Sequence, residues 1–202
     1  MGNNTRNQFN DLLRSQGLEA GIIPVSNIPN EESRLNEVNR LGILNRDLEK
    51  EAQYNAFTQL ASIITKSQIG LINILGSNIQ QCKTNFGFNV IESTLTEEMP
   101  REISICQYSL ASPQEPLIIN DLYIDERTKH FQKLEAYENL RFYAGSPLIT
   151  SRGYSIGTLC VIDDKPKTIE HEQIEGLRLL ADQVVNMLEQ EFNEKNRKNK
   201  DL

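Results

Sequence analysis

The stretch Leu140–Asp164, LRFYAGSPLITSRGYSIGTLCVIDD, decides the fold. Two apolar runs, Leu140 to Ile149 and Tyr154 to Ile162, are rich in β-branched and aromatic residues. They flank Thr150-Ser151-Arg152-Gly153, a four-residue turn whose glycine tolerates positive φ, so the stretch reads as a β-hairpin. The second run carries bulk in both alternation phases, Ile156, Cys160 and Ile162 in one and Leu159 and Val161 in the other. Neither face is then solvated, which marks a central strand. Gly145 and Gly157 sit inside these strands, where glycine costs stability unless a neighbouring backbone, a bulge or a ligand needs the space.

Downstream of the hairpin the spacing predicts a long helix. Thr168 reads as its N-cap, Glu170 and Glu172 suit its positive end, and Ile174, Leu177, Ala181, Val184 and Leu188 recur at steps of 3 and 4. Leu180, Val185 and Met187 broaden the stripe, so one side meets the sheet and another meets a second subunit; Leu177, Val184 and Leu188 are the expected dimer contacts. The tail from 193 to 202 is polar and frays.

Upstream, Asn120 to Asn139 reads as loop with one or two helical turns, and Leu117-Ile118-Ile119, bracketed by prolines, as an edge strand. Gly87 to Glu102 reads as a loop. Ile69–Leu75 is a strand interrupted in its apolar run by Asn73, and Gly76-Ser77-Asn78 turns it into a polar partner, Ile79–Phe86. A helix from about Asp47 to Thr65 buries Phe57, Leu60, Ala61 and Ile64. An earlier helix is capped by Asn30, carries Glu31 and Glu32 in its first turn, buries Leu35, Val38 and Leu41, and stops at Gly42. Residues 1–29 form a partly flexible leader, with Phe9, Leu12 and Leu13 at helical spacing, Gly17 as a stop, and an extended run from Gly21 to Pro29. The domain proper spans 30–192.

Composition narrows the function. A length of 202 residues with 38% apolar content suits one core. The net charge of −7, with no basic block before the C-terminus, argues against nucleic acid or an anionic membrane surface as a partner. No apolar run is long enough to span a bilayer and no signal peptide opens the chain. Three widely separated cysteines, Cys82, Cys106 and Cys160, do not make a secreted disulfide framework, so the cytoplasm is the expected compartment. Phosphate-binding loops, nucleophile elbows and zinc motifs are absent, and His130 and His171 read as surface residues. Neither Asp121, Asp125 and Glu126 nor Asp163 and Asp164 have the ligand spacing of a calcium loop. No metal and no cofactor are expected.

The order RFYAG, PL, a glycine turn and GTLCVID, preceded by PNEESRLNEVNRLGIL and REISICQYSL, resembles the GAF domains of cytoplasmic, largely bacterial, signalling proteins. The resemblance implies an α+β fold: a central antiparallel sheet of five or six strands, the N- and C-terminal helices on one face, and a lid of loops and short helices on the other. It also implies a pocket between sheet and lid. Cys106, Tyr108, Phe142 and Tyr143 with Asp121 and Arg127 are the candidate ligand-binding residues, a mostly apolar set with few polar anchors. This chain departs from its relatives in three places. Gln80, Gln81 and Cys82 stand where many carry a Trp-aromatic pair, Gln107 follows Cys106 where bilin-binding relatives carry histidine, and the cyclic-nucleotide signature is missing. The function implied is a non-enzymatic sensory or regulatory domain. It binds a small molecule or a partner, acts as a homodimer and relays to a signalling output protein, as in relatives attached to histidine kinases and diguanylate cyclases. A thiol-dependent redox enzyme or sensor of the free-methionine-sulfoxide-reductase type, and a ligand-free dimerisation module, are the alternatives.

Overall fold

The computed structural model describes residues 11–12, 14–46, 48, 52–87 and 98–199. Six strands form one antiparallel sheet: β1 (Ile69–Leu75), β2 (Ile79–Phe86), β3 (Glu98–Pro100), β4 (Leu117–Ile119), β5 (Phe142–Ile149) and β6 (Ser155–Asp163), in the order β3-β2-β1-β6-β5-β4. The hairpin β5–β6 forms as its alternation predicts, with Gly153 at φ 83° in the turn. All nine residues of β6 are buried, and β1 flanks it on the other side, so the two central strands need cover on both faces.

One face is covered by helices α1 (Glu31–Leu41), α2 (Ala52–Thr65) and the 28-residue α4 (His171–Lys198), packed on Ile72, Ile74, Phe142, Ala144, Leu148, Leu159 and Val161. The other face carries Leu71, Leu75, Met99, Tyr143, Cys160 and Ile162 beneath a lid. The lid comprises the 3-10 turn Arg101–Ile103, the short helix α3 (Gln107–Ala111) and two further 3-10 turns, Phe131–Lys133 and Glu135–Tyr137.

Several expected details are corrected. Asn30 makes no side-chain cap; it lies in the left-handed region, and the buried face of α1 includes Arg34 and Glu37, with Leu35 only half-buried. Both charges are satisfied: Arg34 donates to the carbonyls of Leu75 (2.7 Å) and Gly76 (3.3 Å), and Glu37 pairs with Arg40 and Arg152. Gly42 ends α1 as expected, at φ 63°. The last helix starts at His171, capped by Glu170 through a reciprocal box with Gln173, because Thr168 lies two residues too early. On α2 the buried face is Tyr54, Thr58, Ala61, Ser62 and Thr65, while Leu60 is 43% exposed. The reason is close approach. A Cβ at Gly70 would collide with the Thr58 carbonyl, so the helix lies with its small and hydroxylated residues against β1.

The leader packs on the lid. Residues 14–20 are helical and Gly21, at φ 88°, ends that turn, so Gly17 is not the stop. Gly17 faces Ile103 so closely that a Cβ there would overlap the Ile103 side chain. Ala20 and Ile22 are buried in the lid-side core. Leu12 is exposed, and the placement of Phe9 and Leu13 lies outside the described residues. Extended beyond Gly21, the chain is clamped by Gln107, whose Oε1 accepts from Val25 N (2.7 Å) while its Nε2 donates to the Glu102 carbonyl (2.7 Å). Lys133 Nζ donates to the Ala20 carbonyl (2.8 Å) and Arg14 pairs with Glu102.

Replacing Gly70 by Ala overpacks the seam between α2 and β1. A loss of about 1–3 kcal/mol in unfolding free energy is expected from urea denaturation.

Candidate functional site

Asn73 and Thr158 are direct partners across the β1–β6 ladder and are both buried, at 2% and 0% exposure. Their side chains lie on the lid face, since Asn73 shares the phase of Leu71 and Leu75, and Thr158 that of Cys160 and Ile162. Asn73 Nδ2 donates to two sulfurs from different layers, Cys106 Sγ at 3.5 Å and Cys160 Sγ at 3.4 Å. Cys106 immediately precedes α3 in the lid, and Cys160 belongs to β6. Tyr143 OH donates to Cys106 Sγ at 3.3 Å from β5. Gly145 makes this possible: a Cβ there would strike the Tyr143 ring, so the missing side chain lets the phenol lie along its own strand toward the lid.

The groups around the two sulfurs, here called the chamber, pack directly against one another and among the described residues include no carboxylate, ammonium or guanidinium group. Asn73 Oδ1 and Thr158 Oγ1 have no partner of hydrogen-bonding geometry, and neither do Ser104 Oγ and Ser109 Oγ in the lid. Tyr137 OH is satisfied by the Ile103 carbonyl at 3.0 Å and lies 3.3 Å from Met99 Sδ. Burial pushes the Tyr137 and Tyr143 phenols and the Cys160 thiol well above their ordinary values. Burial acts upward on Cys106 too, but the neighbouring Cys160 thiol and the donors Tyr143 OH and Asn73 Nδ2 outweigh it and bring that thiol down to about 7. Cys82, opposite Asn73 on β2, is half-buried and donates to the Thr84 carbonyl at 3.5 Å. Among the described residues no group of three or more His, Cys, Asp or Glu side chains is placed to hold a metal ion.

The expected ligand-binding residues divide between four places. Cys106 and Tyr143 meet in the chamber. Phe142 does not, because its strand neighbour Tyr143 takes the lid face; Phe142 packs among the helices with Lys167 Nζ 4.8 Å above its ring. Asp121 and Arg127 are engaged in the lid's own framework. Asp121 accepts from Arg141 at 2.9 and 2.6 Å, and Arg127 donates to Asp125 at 2.9 and 2.6 Å. Tyr108 lies on the outer side, donating to the Arg127 carbonyl at 2.9 Å and lining an open cleft of about 540 Å³ with Ile22–Asn27, Arg127 and His130. The expected dimer contacts Leu177, Val184 and Leu188 are at most 1% exposed within this subunit's core. Their side chains therefore hold α4 to the sheet.

Asn73, Thr158, Ser104 and Gln107 were not expected at the site. Their signal in the sequence is polarity where the pattern asks for apolar bulk, clearest for Asn73 inside IGLINIL.

A family model described as GAF domain matches residues 49–188. A cyclic di-GMP phosphodiesterase of Pseudomonas aeruginosa is 29% identical over 140 residues, which cover 68% of this chain and 22% of that protein. The chain thus spans less than a quarter of that relative's length. Type II free methionine-R-sulfoxide reductase from Thermoplasma acidophilum superposes with a TM-score of 0.57 at 16% identity, over 71% of this chain and 96% of that one. The blue-light-absorbing form of the Thermosynechococcus elongatus PixJ GAF domain gives 0.59 at 14%, over 83% and 94%. At these identities the two structures share the fold with this chain.

Two measurements check the geometry. Tyr143→Phe keeps the ring and removes one donor from Cys106, so the thiolate absorbance of Cys106 is expected to titrate at a higher pH than the wild-type value of about 7. The Arg141 guanidinium beside Asp121 holds its carboxyl below the ordinary value against the opposing effect of burial. A depressed carboxylate stabilises the fold above its unfolded pKa and loses that contribution as pH falls through the folded one. The deficit of Asp121→Asn in urea denaturation is therefore expected at neutral pH and should shrink below about pH 4.

Proposed function

The chain belongs to the GAF domain family, and on that premise we propose that it is a non-enzymatic sensory or regulatory module that binds a small polar molecule between sheet and lid. The observation that carries this reading is the facing pair Asn73 Oδ1 and Thr158 Oγ1, both buried and unpartnered. An unsatisfied buried polar group costs about 1–3 kcal/mol. A strand that only packed a core would have an apolar residue at each of these positions, whereas a bound hydroxyl or amide satisfies both.

Among the described residues the buried charges lie elsewhere, which favours a neutral ligand. The buried charges Arg34, Glu37, Lys83 and Asp163 lie outside this chamber: Arg34 and Glu37 belong to α1, Lys83 Nζ reaches the Leu44 and Arg46 carbonyls, and Asp163 pairs with Lys167 at the end of β6. An anionic ligand beside Asn73 and Thr158 would add negative charge next to the Cys106 thiol, which is already drawn toward ionisation, so a second buried anion there is disfavoured. The match to the Pseudomonas phosphodiesterase supports reading the module as a regulatory unit that other signalling proteins also contain. Relay passes through the elements packed on the lid and the terminal helices to a signalling partner.

Native mass spectrometry of freshly purified protein, before and after exposure to a fractionated metabolite extract, tests the reading. Retained mass that is lost on denaturation, and lost from the double variant Asn73→Leu/Thr158→Val, is the expected result. A bare chain that gains nothing from any fraction overturns it.

A further inference from the structure

Cys106 and Cys160 lie 54 positions apart in the sequence, yet the fold sets both sulfurs on one amide nitrogen. We propose that Cys106 and Cys160 form a two-thiol redox site that reduces a hydroperoxide and closes as a disulfide between the lid and the central strand. The inference goes beyond small-molecule binding and needs no bound ligand; the pair is oxidised once per event, as a sensor, and is not a turnover catalyst.

The geometry assigns a role to each group. Cys106 is the nucleophile: Tyr143 OH and Asn73 Nδ2 both point at its sulfur, and donors aimed at sulfur stabilise the thiolate, the reactive form. The acidity of the Cys106 thiol, about 7, agrees with that assignment, and the raised Cys160 thiol keeps its proton until it is needed. Cys160 is the resolving thiol, held at 3.4 Å by the same Asn73 Nδ2 that holds Cys106. Thr158 Oγ1, which has no other partner, is available to the oxygen that leaves. Asn73 is the positioning residue for both sulfurs. Sulfur is a weak acceptor, and a buried amide that only filled space would be a poor choice over leucine at this position. Cys82 is outside the pair, since its thiol is turned to the Thr84 carbonyl of its own strand.

The chemistry balances. The Cys106 thiolate attacks one peroxide oxygen; an S–O bond forms, the O–O bond breaks, and the departing oxygen takes a proton to leave as water or an alcohol. The Cys160 sulfur then attacks the sulfenic sulfur; the S–S bond forms, the S–O bond breaks, and the hydroxide leaves as water with the Cys160 proton. The two thiols supply the two electrons that the hydroperoxide accepts, and an external dithiol reverses the bond by exchange.

Both cysteines are covered, at 3% and 0% exposure, so the rate is set by opening of the lid. The bond in turn joins the residue before α3 to the middle of β6, and Gln107, the neighbour of Cys106, is the clamp on the leader. Oxidation therefore fixes the lid to the sheet at the point where the leader is attached.

The test treats the whole protein with hydrogen peroxide under native conditions, quenches with acid, unfolds, alkylates free thiols and maps peptides by mass. The expected first product is a Cys106–Cys160 disulfide with Cys82 still alkylated. Cys160→Ser, checked for folding by circular dichroism, is expected to stop at a Cys106 sulfenate trapped by dimedone. The proposal is overturned if peroxide leaves both thiols of the wild-type protein free to alkylate, or if the first disulfide contains Cys82 or joins two chains.

Discussion

Burial of β6 on both faces is the constraint on which the rest of the structure depends. A strand with nine buried positions cannot lie at the edge of a sheet or on its surface. Its two neighbours, β1 and β5, take up its backbone hydrogen bonds, and its two side-chain faces require a layer each. Those layers are unlike. The helix side is aliphatic, built by Leu159 and Val161 against Leu177, Ala181, Val184 and Leu188. On the lid side Thr158, Cys160 and Ile162 face short turns and loops, where polar groups enter the interior.

That asymmetry explains which parts of the fold were legible in the sequence. The hairpin, the polar β2, the edge strand β4 and the long last helix each follow from periodicity, and their order agrees with the GAF resemblance. Rotation of a helix about its own axis was not legible. For α2 the pattern points to Phe57, Leu60, Ala61 and Ile64; Ala61 is buried, but the Gly70–Thr58 approach turns Thr58 and Ser62 inward beside it in place of Leu60. A contact between residues on two elements sets that rotation, and a one-dimensional pattern does not contain it. The same holds for α1, where Arg34 and Glu37 are buried because strand-end carbonyls and the Arg152 side chain meet them there.

The candidate site was legible at Cys106 and Tyr143 and obscure elsewhere for the same reason. Phe142 and Tyr143 are adjacent, so period-two alternation sends them to opposite faces and only one of the two can face the lid. Asp121 and Arg127 are polar residues in the lid, but Arg141 and Asp125 are close enough to satisfy them. The residues that define the chamber are less conspicuous in the sequence. Asn73 is one amide in an apolar heptad and Thr158 one hydroxyl in a strand that tolerates threonine well. Only the ladder, which sets them directly opposite each other beneath Cys106, gives them a shared role.

The route out of the chamber follows from adjacency along the chain. Cys106 and Gln107 are successive residues at the start of α3, so a displacement of one is imposed on the other. Gln107 is held from two sides, by Val25 N and by the Glu102 carbonyl, and both bonds measure 2.7 Å. Close-packed contacts cannot absorb movement continuously, and Gly17 against Ile103 leaves no slack on the leader side. By contrast α4 lies across the sheet from the chamber, separated from it by β5 and β6. An event at Cys106 therefore reaches the N-terminal segment through one residue and the C-terminal helix only through the sheet. In this GAF domain the leader is joined to the interior by the shortest chain of contacts, and those contacts make it part of the lid-side layer.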